Sequence, residues 1–188
     1  MTRFVCLLRG VNVGGKNRLA MPALKDLFGE LGFSQVTTYI QSGNVVFSAR
    51  DRPDAGWLEA EVAGRFSLSV QAVVRSAADL RRVVRTNPFG HEAPEALHVG
   101  FLVERPADAV VRQLEPEAHA PDRFAVRGGE VFLHLPTGMA RTRLVGYLER
   151  RLGASTFRNW NTVTALAEMA ARGTAVDGPT KPRHPPRR

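Results

Sequence analysis

Cysteine is nearly absent from this chain: its 188 residues hold one, Cys6, inside the apolar run FVCLL. A single cysteine excludes an intrachain disulfide and a structural zinc site built on several thiolates. With apolar neighbours on both sides, Cys6 reads as a small buried hydrophobe rather than a nucleophile. Long apolar runs are missing too. The N-terminal MTRFVCLL reaches Arg9 too soon for the core of a signal peptide, and no later run approaches the about eighteen residues of a membrane span. The expectation is a cytoplasmic protein without a membrane partner. His91, His98, His119, His134 and His184 occur at no metal-like spacing, and neither HExxH nor a nucleophile elbow appears. No metal and no cofactor is therefore expected, and no catalytic residue is named. His98 and His134 lie in strand-like runs and read as packed or exposed bystanders. Glu59 and Glu61 fall on different sides of a helix and read as solvated.

What is abundant is positive charge, +8 in total. Part of it sits in the last stretch, GTAVDGPTKPRHPPRR, where four basic residues face one acidic residue. That net of +3 leaves +5 on the remainder. A Pro-rich, polar stretch of this kind cannot bury enough surface to offset ordering, so residues 174–188 are expected to be a disordered basic tail. Arginine heavily outnumbers lysine, a bias that a GC-rich genome also produces. Net basicity favours salt-sensitive attraction to phosphates without identifying a target.

Periodicity predicts an α+β protein. Phe4 to Arg9 is a short apolar run bounded by glycines and reads as a buried strand. Leu24, Leu27, Phe28 and Leu31 recur at helical spacing, with Pro22 suited to the first turn and Gly32 to the end. Val36–Gln41 and Val45–Ser48 form a hairpin around Ser42-Gly43. Asp54 caps a helix through Leu58, Val62 and Phe66, and Val70 to Val74 closes with a strand. The order β-α-β-β-α-β is the ferredoxin-like motif. Ser76 and Asp79 form a capping box for a linking helix that Asn87-Pro88 stops.

The same order then repeats. Leu97–Val103 is a strand and Pro106–Leu114 a helix. A second hairpin, Arg123–Arg127 and Val131–Leu135, surrounds Gly128-Gly129. Leu144, Leu148 and Leu152 mark a helix ended by Gly153, and Ser155–Arg158 leads into a last helix over Trp160–Ala171. Two ferredoxin-like subdomains in tandem plus a C-terminal helix are expected: residues 1–87 with the linking helix, 88–173, and the tail.

Three polar, sharply turning stretches stand out: LLRGVNVGGKNRLAM at 7–21, YIQSGNVVF at 39–47 and TFRNWNTV at 156–163. In the first, Arg9, Asn12, Gly14, Gly15, Lys16 and Asn17 form a Gly-rich turn running into a helix N-terminus. Free N–H groups next to fixed positive charge suit an anion. It is not a P-loop, since Asn17 stands where G-x-x-x-x-G-K-[ST] needs a hydroxyl. A turn needing positive φ explains the glycines equally well. In the second, Ser42-Gly43 reverses the chain and Asn44 braces the turn. Alternation puts Tyr39 and Gln41 on one face, opposite Ile40, where they would receive a base or simply pack. In the third, Trp160 anchors the last helix, while Asn159, Asn161 or Thr162 caps it. Arg158 and the remaining amides are left over as candidate ligand contacts.

LLRGVNVGGKN, MPALKDLFGELGF, TYIQSGNVVF, TNPF and RNWNTV together resemble the bacterial family called domain of unknown function 1697, from the N-terminus to roughly Arg172. The resemblance implies a duplicated ferredoxin-like architecture and no established activity, substrate or cofactor. One departure lies in PTGMARTRL, where the family usually has serine and lysine in place of Thr142 and Arg143.

Two functions then compete. The first is binding of a phosphate-bearing ligand, a nucleotide or nucleic acid, in a cleft between the subdomains, with the three stretches converging there. The second is an enzyme acting on a small anionic or phosphorylated metabolite, in which Lys16 and Arg158 stabilise developing negative charge. A non-catalytic interaction module, with protein partners unknown, is the plain alternative.

Overall fold

β1 (Thr2–Leu8) is apolar and buried from Phe4 onward, as a strand covered on both faces must be. It opens a computed structural model that describes residues 1–14 and 17–172. The expected tail, and Gly15 and Lys16 of the first loop, lie outside the described residues. The chain divides into two compact units: Met1–Leu80 with the described residues from Leu166 onward, and Arg81–Ala165.

In the first unit β1 is followed by α1 (Met21–Glu30), β2 (Ser34–Tyr39), β3 (Asn44–Ala49), α2 (Ala55–Phe66) and β4 (Ala72–Ser76). The four strands make one antiparallel sheet in the order β2-β3-β1-β4. Register pairs Phe4 with Phe47 and Cys6 with Val45, so these side chains share one face. That face packs with Leu24, Leu27 and Phe28 of α1 and Leu58 and Val62 of α2. Phe47 sits among rings, with centroids 4.6 Å from Phe33 and 5.3 Å from Phe28. Each such large apolar side chain removed from water contributes about 1.5–3 kcal/mol. Cys6 is fully buried among them, as a hydrophobe would be. Local signals set the helix ends. Pro22 lies in the first turn of α1, and the Asp54 carboxylate accepts from the Trp57 N–H at 2.8 Å to open α2.

The second unit contains β5 (Leu97–Leu102), α4 (Asp108–Arg112), β6 (Arg123–Arg127), β7 (Glu130–His134), α5 (Leu144–Leu152) and β8 (Ser155–Asn159). Its sheet is antiparallel with the order β6-β7-β5-β8, the order of the first sheet with each strand advanced by four. Leu102, Phe124, Val131 and Leu133 pack with Leu144, Leu148 and Leu152. A Cβ on Gly100 would lie 2.6 Å from the Phe157 ring, so the glycine is what lets that ring cross the sheet. At the start of α5, the Thr142 hydroxyl donates to the buried Asp122 carboxylate and accepts the Leu144 N–H at 3.0 Å.

α3 (Ala77–Thr86) opens with the expected capping box: Asp79 N donates to Ser76 Oγ at 3.1 Å, and Ser76 N to Asp79 Oδ2 at 3.0 Å. The division between units falls inside α3, after Leu80, and inside α6 (Trp160–Ala171), before Leu166. The end of α6 joins the first unit, where Arg3 Nη2 donates to the Met169 carbonyl at 3.4 Å.

Several details differ from the expected elements. β1 begins at Thr2 and stops at Leu8, and β4 runs over 72–76 rather than 70–74. Single-turn 3-10 helices at Pro94–Ala96 and Pro116–His119 carry no periodicity long enough to be seen in sequence. The loop between β2 and β3 has four residues, Ile40 to Gly43, because both Ile40 (φ 49°) and Gly43 (φ 70°) turn left-handed.

Candidate functional site

Where β1 ends, the chain is pinned twice: Leu8 N donates to the Gly43 carbonyl and Arg9 N to the Gln71 carbonyl, each at 2.8 Å. The loop beyond is built on left-handed residues, Gly10 (φ 71°), Asn12 (56°), Gly14 (58°) and Asn17 (49°). Glycine and asparagine tolerate that region best, which explains why these four positions hold them. The loop closes on itself. Asn12 N donates to the Asn17 carbonyl at 3.1 Å, and Asn17 Nδ2 donates to the Gly10 carbonyl at 3.1 Å.

Asn12 is the centre of this arrangement. Its Oδ1 accepts the Leu19 N–H at 2.9 Å, while Nδ2 donates to the Leu19 carbonyl at 2.9 Å and to the Gln41 carbonyl at 2.8 Å. One amide thus ties the loop after β1 to the loop between β2 and β3. Only a side chain with one acceptor and two donors on a short stem can do this. The first two sequence stretches, 29 residues apart at this bond, meet on one surface of the first unit.

The second loop is held from within. Asn44 is fully buried, and its Nδ2 donates to the Tyr39 carbonyl at 3.0 Å and to Ser42 Oγ at 2.8 Å, so it braces the turn as expected. A Cβ on Gly43 would lie 2.9 Å from Leu8 Cβ and 3.2 Å from Val11 Cβ, which requires glycine on space as well as on φ. The expected alternation fails at Ile40. Left-handed backbone takes Ile40 out of strand geometry, so Tyr39 is half-buried while Ile40 and Gln41 are both exposed. A β-branched residue held at positive φ stores about 1–3 kcal/mol of strain.

A groove of about 530 Å³ opens beside the clamp, lined by Asn12, Arg18, Leu19 and Ala20. Arg18 and Ala20 are exposed. Ala20 precedes α1 without a side-chain cap, and no acidic residue occupies the first turn of that helix. The first turn of α1 therefore brings no negative side chain of its own to the positive end of the helix dipole. Arg9 is also exposed. Neither Arg18 nor Ala20 was singled out from sequence, although both lie in the first stretch. Only the folded loop shows which of its residues line the groove.

The third stretch belongs to β8 and α6. Arg158 is buried, and its Nη1 donates to Thr156 Oγ1 at 2.7 Å and to the Phe157 carbonyl at 2.9 Å. Asn159 is the residue that caps α6, its Oδ1 accepting from the Thr162 N–H at 2.8 Å. Thr162 is buried, Trp160 is half-buried and Asn161 is exposed. Thr164 Oγ1 donates to the carbonyls of both Trp160 and Asn161 at 3.1 Å. His98 lies opposite Asn159 on β5, and burial lowers its pKa against a weaker, raising hydrogen bond that the ring donates to the Ala96 backbone.

A further polar cluster surrounds Glu92 in the second unit. Arg123 donates to the Glu92 carboxylate, and its guanidinium lies 5.2 Å from the Phe89 ring centroid. His91 Nε2 stands 3.3 Å and His134 Nε2 3.7 Å from that carboxylate. The hydrogen bond from Arg123 holds the Glu92 carboxyl below its ordinary pKa, opposed by partial desolvation. Among the described residues no three His, Cys, Asp or Glu side chains gather as metal ligands, and no helix is long and apolar enough to cross a membrane.

The chain belongs to the family described as Protein of unknown function (DUF1697), whose model matches residues 1–132. Its fold is shared with the solved structure of the conserved bacterial protein SP0830 from Streptococcus pneumoniae. That likeness has a TM-score of 0.67 at 24% identity and covers 90% of this chain and 98% of that one. No curated protein matches the chain.

Proposed function

We propose that the chain binds a phosphate-bearing ligand, a nucleotide or a stretch of nucleic acid, at the loop end of the first unit. The observation that carries this reading is the Asn12 clamp, which makes one surface of two polar loops and borders a groove lined by Arg18. An exposed guanidinium beside an uncapped helix start favours an anion. Arg9, Arg18 and Lys16 supply charge, and Asn17, Gln41 and Ser42 supply hydrogen-bonding groups. Arg158, Asn159 and Thr162 enter as supports of their own helix start, because the bonds they make there order β8 and α6. We read each unit as a ferredoxin-like subdomain, a reading supported by the β-α-β-β-α-β order and the matching antiparallel strand orders. A cytoplasmic location fits a chain whose lone cysteine is a buried thiol.

The test is thermal unfolding of the full chain against nucleotides, sugar phosphates and short oligonucleotides, since a ligand of the folded state raises the midpoint by mass action. Arg18→Met and Lys16→Met are expected to weaken the best compound by roughly ten- to hundredfold, the worth of a charge-assisted contact, while leaving the unliganded midpoint in place. If no phosphate compound moves the midpoint, the reading falls.

A further inference from the structure

Large apolar side chains stand well exposed at four described positions: Met1, Val13, Ile40 and Val103. Two of the four, Val13 at 63% and Ile40 at 51%, flank the two ends of the Asn12–Gln41 hydrogen bond. A lone exposed apolar residue is ordinary. Ile40 is not ordinary, because it holds φ 49°, where glycine or asparagine would sit with less strain. Half its surface faces water, so folding recovers little through burial for keeping a β-branched residue there. Beside it, the Gln41 side-chain amide is exposed and makes no hydrogen bond among the described residues. Around the Asn12–Gln41 hydrogen bond, whose Asn12 lines the groove, the chain thus offers two apolar side chains and one unengaged amide.

We infer that the ligand is a nucleoside phosphate whose base lies against Ile40 and Val13, with the Gln41 amide reading its edge; this rests on the phosphate-binding reading. A nucleobase presents a flat apolar face and a rim of donors and acceptors, the two features these residues complement. Inorganic phosphate has neither. A sugar phosphate lacks the flat face, and the chain of an alkyl phosphate has no donor or acceptor for an amide.

The experiment is calorimetric titration of the full chain with adenosine monophosphate, ribose 5-phosphate, inorganic phosphate and hexyl phosphate. It is repeated on Ile40→Gly and Ile40→Asn, which suit the left-handed backbone and should raise the unfolding midpoint. The unmodified chain is expected to prefer adenosine monophosphate over ribose 5-phosphate by about tenfold, the scale of one stacked base. Both variants are expected to lose most of that preference while holding ribose 5-phosphate as before. Equal affinity for all four compounds, a preference for hexyl phosphate, or a nucleotide preference untouched in both variants overturns the nucleoside assignment and leaves phosphate binding standing. Absence of binding by every compound overturns both.

Discussion

Asn12 and Ile40 both sit at positive φ in the candidate site, yet they answer to different constraints. Asn12 satisfies three backbone groups from a conformation asparagine tolerates, so its role is architectural first. Asn12→Asp removes both donors and sets a carboxylate against the Leu19 and Gln41 carbonyls. It is expected to cost about 1–3 kcal/mol, measured by urea unfolding. Arg158 behaves similarly. Its guanidinium is buried and bonded to Thr156 and Phe157, so Arg158→Met is expected to lower stability, whereas Arg18→Met, at an exposed position, is expected to lower only ligand affinity. Unfolding and binding measured on both variants check this; a stable Arg158→Met protein that no longer binds would reverse the roles. Neither role was visible in sequence. Asn12 acts through a partner 29 residues away, and the RNWNT segment gave no sign that Arg158 points inward.

Elements were far more legible, because their signals are local. Asp54, the Ser76/Asp79 pair, Pro22 and the Gly128-Gly129 hairpin each act within a few residues, and all do in the structure what their spacing implies. Asp54→Ala is expected to cost about 1 kcal/mol by removing the cap of α2, visible as a lowered unfolding midpoint. The start of α5 is a stronger case. The Thr142 hydroxyl is the partner of one buried Asp122 oxygen, and the other oxygen, Oδ1, is buried with no hydrogen bond. Thr142→Val leaves that carboxylate without the hydroxyl and is expected to destabilise by about 1–3 kcal/mol, while Thr142→Ser restores most of the loss. Unfolding of the two variants side by side separates the hydroxyl from the methyl group.

At the scale of the whole molecule, pH acts through groups with one sign. Burial lowers the pKa of His98, so as pH falls the unfolded chain takes up that proton first. The stability His98 contributes is full above the ordinary histidine value of about 6.5 and is lost below it, down through the lowered folded value. Glu92, held low chiefly by its hydrogen bond from Arg123, contributes above the ordinary carboxyl value of 4.5 and loses that contribution as pH falls through its folded value. The unfolding midpoint is therefore expected to drop between pH 7 and pH 5. In His98→Gln the drop over that range is expected to be shallower. In Glu92→Gln the flattening is expected only at lower pH. Midpoints measured from about pH 7 to about pH 3 check both the sign and the assignment.

The sequence by itself determined the α+β class, the order of the elements, most helix ends, both hairpins and the burial of Cys6. All of these follow from periodicity and from contacts within a turn or two of the chain. Tertiary structure alone decided the strand orders, the division of the chain inside α3 and α6, and the join between the loops after β1 and β2. Each depends on residues far apart in the chain, and nothing in local composition encodes which of them meet. The Ile40 conformation belongs here as well. Its neighbours predict a strand, and only the four-residue loop braced by Asn44 and the close approach of Gly43 to Leu8 forces the backbone left-handed.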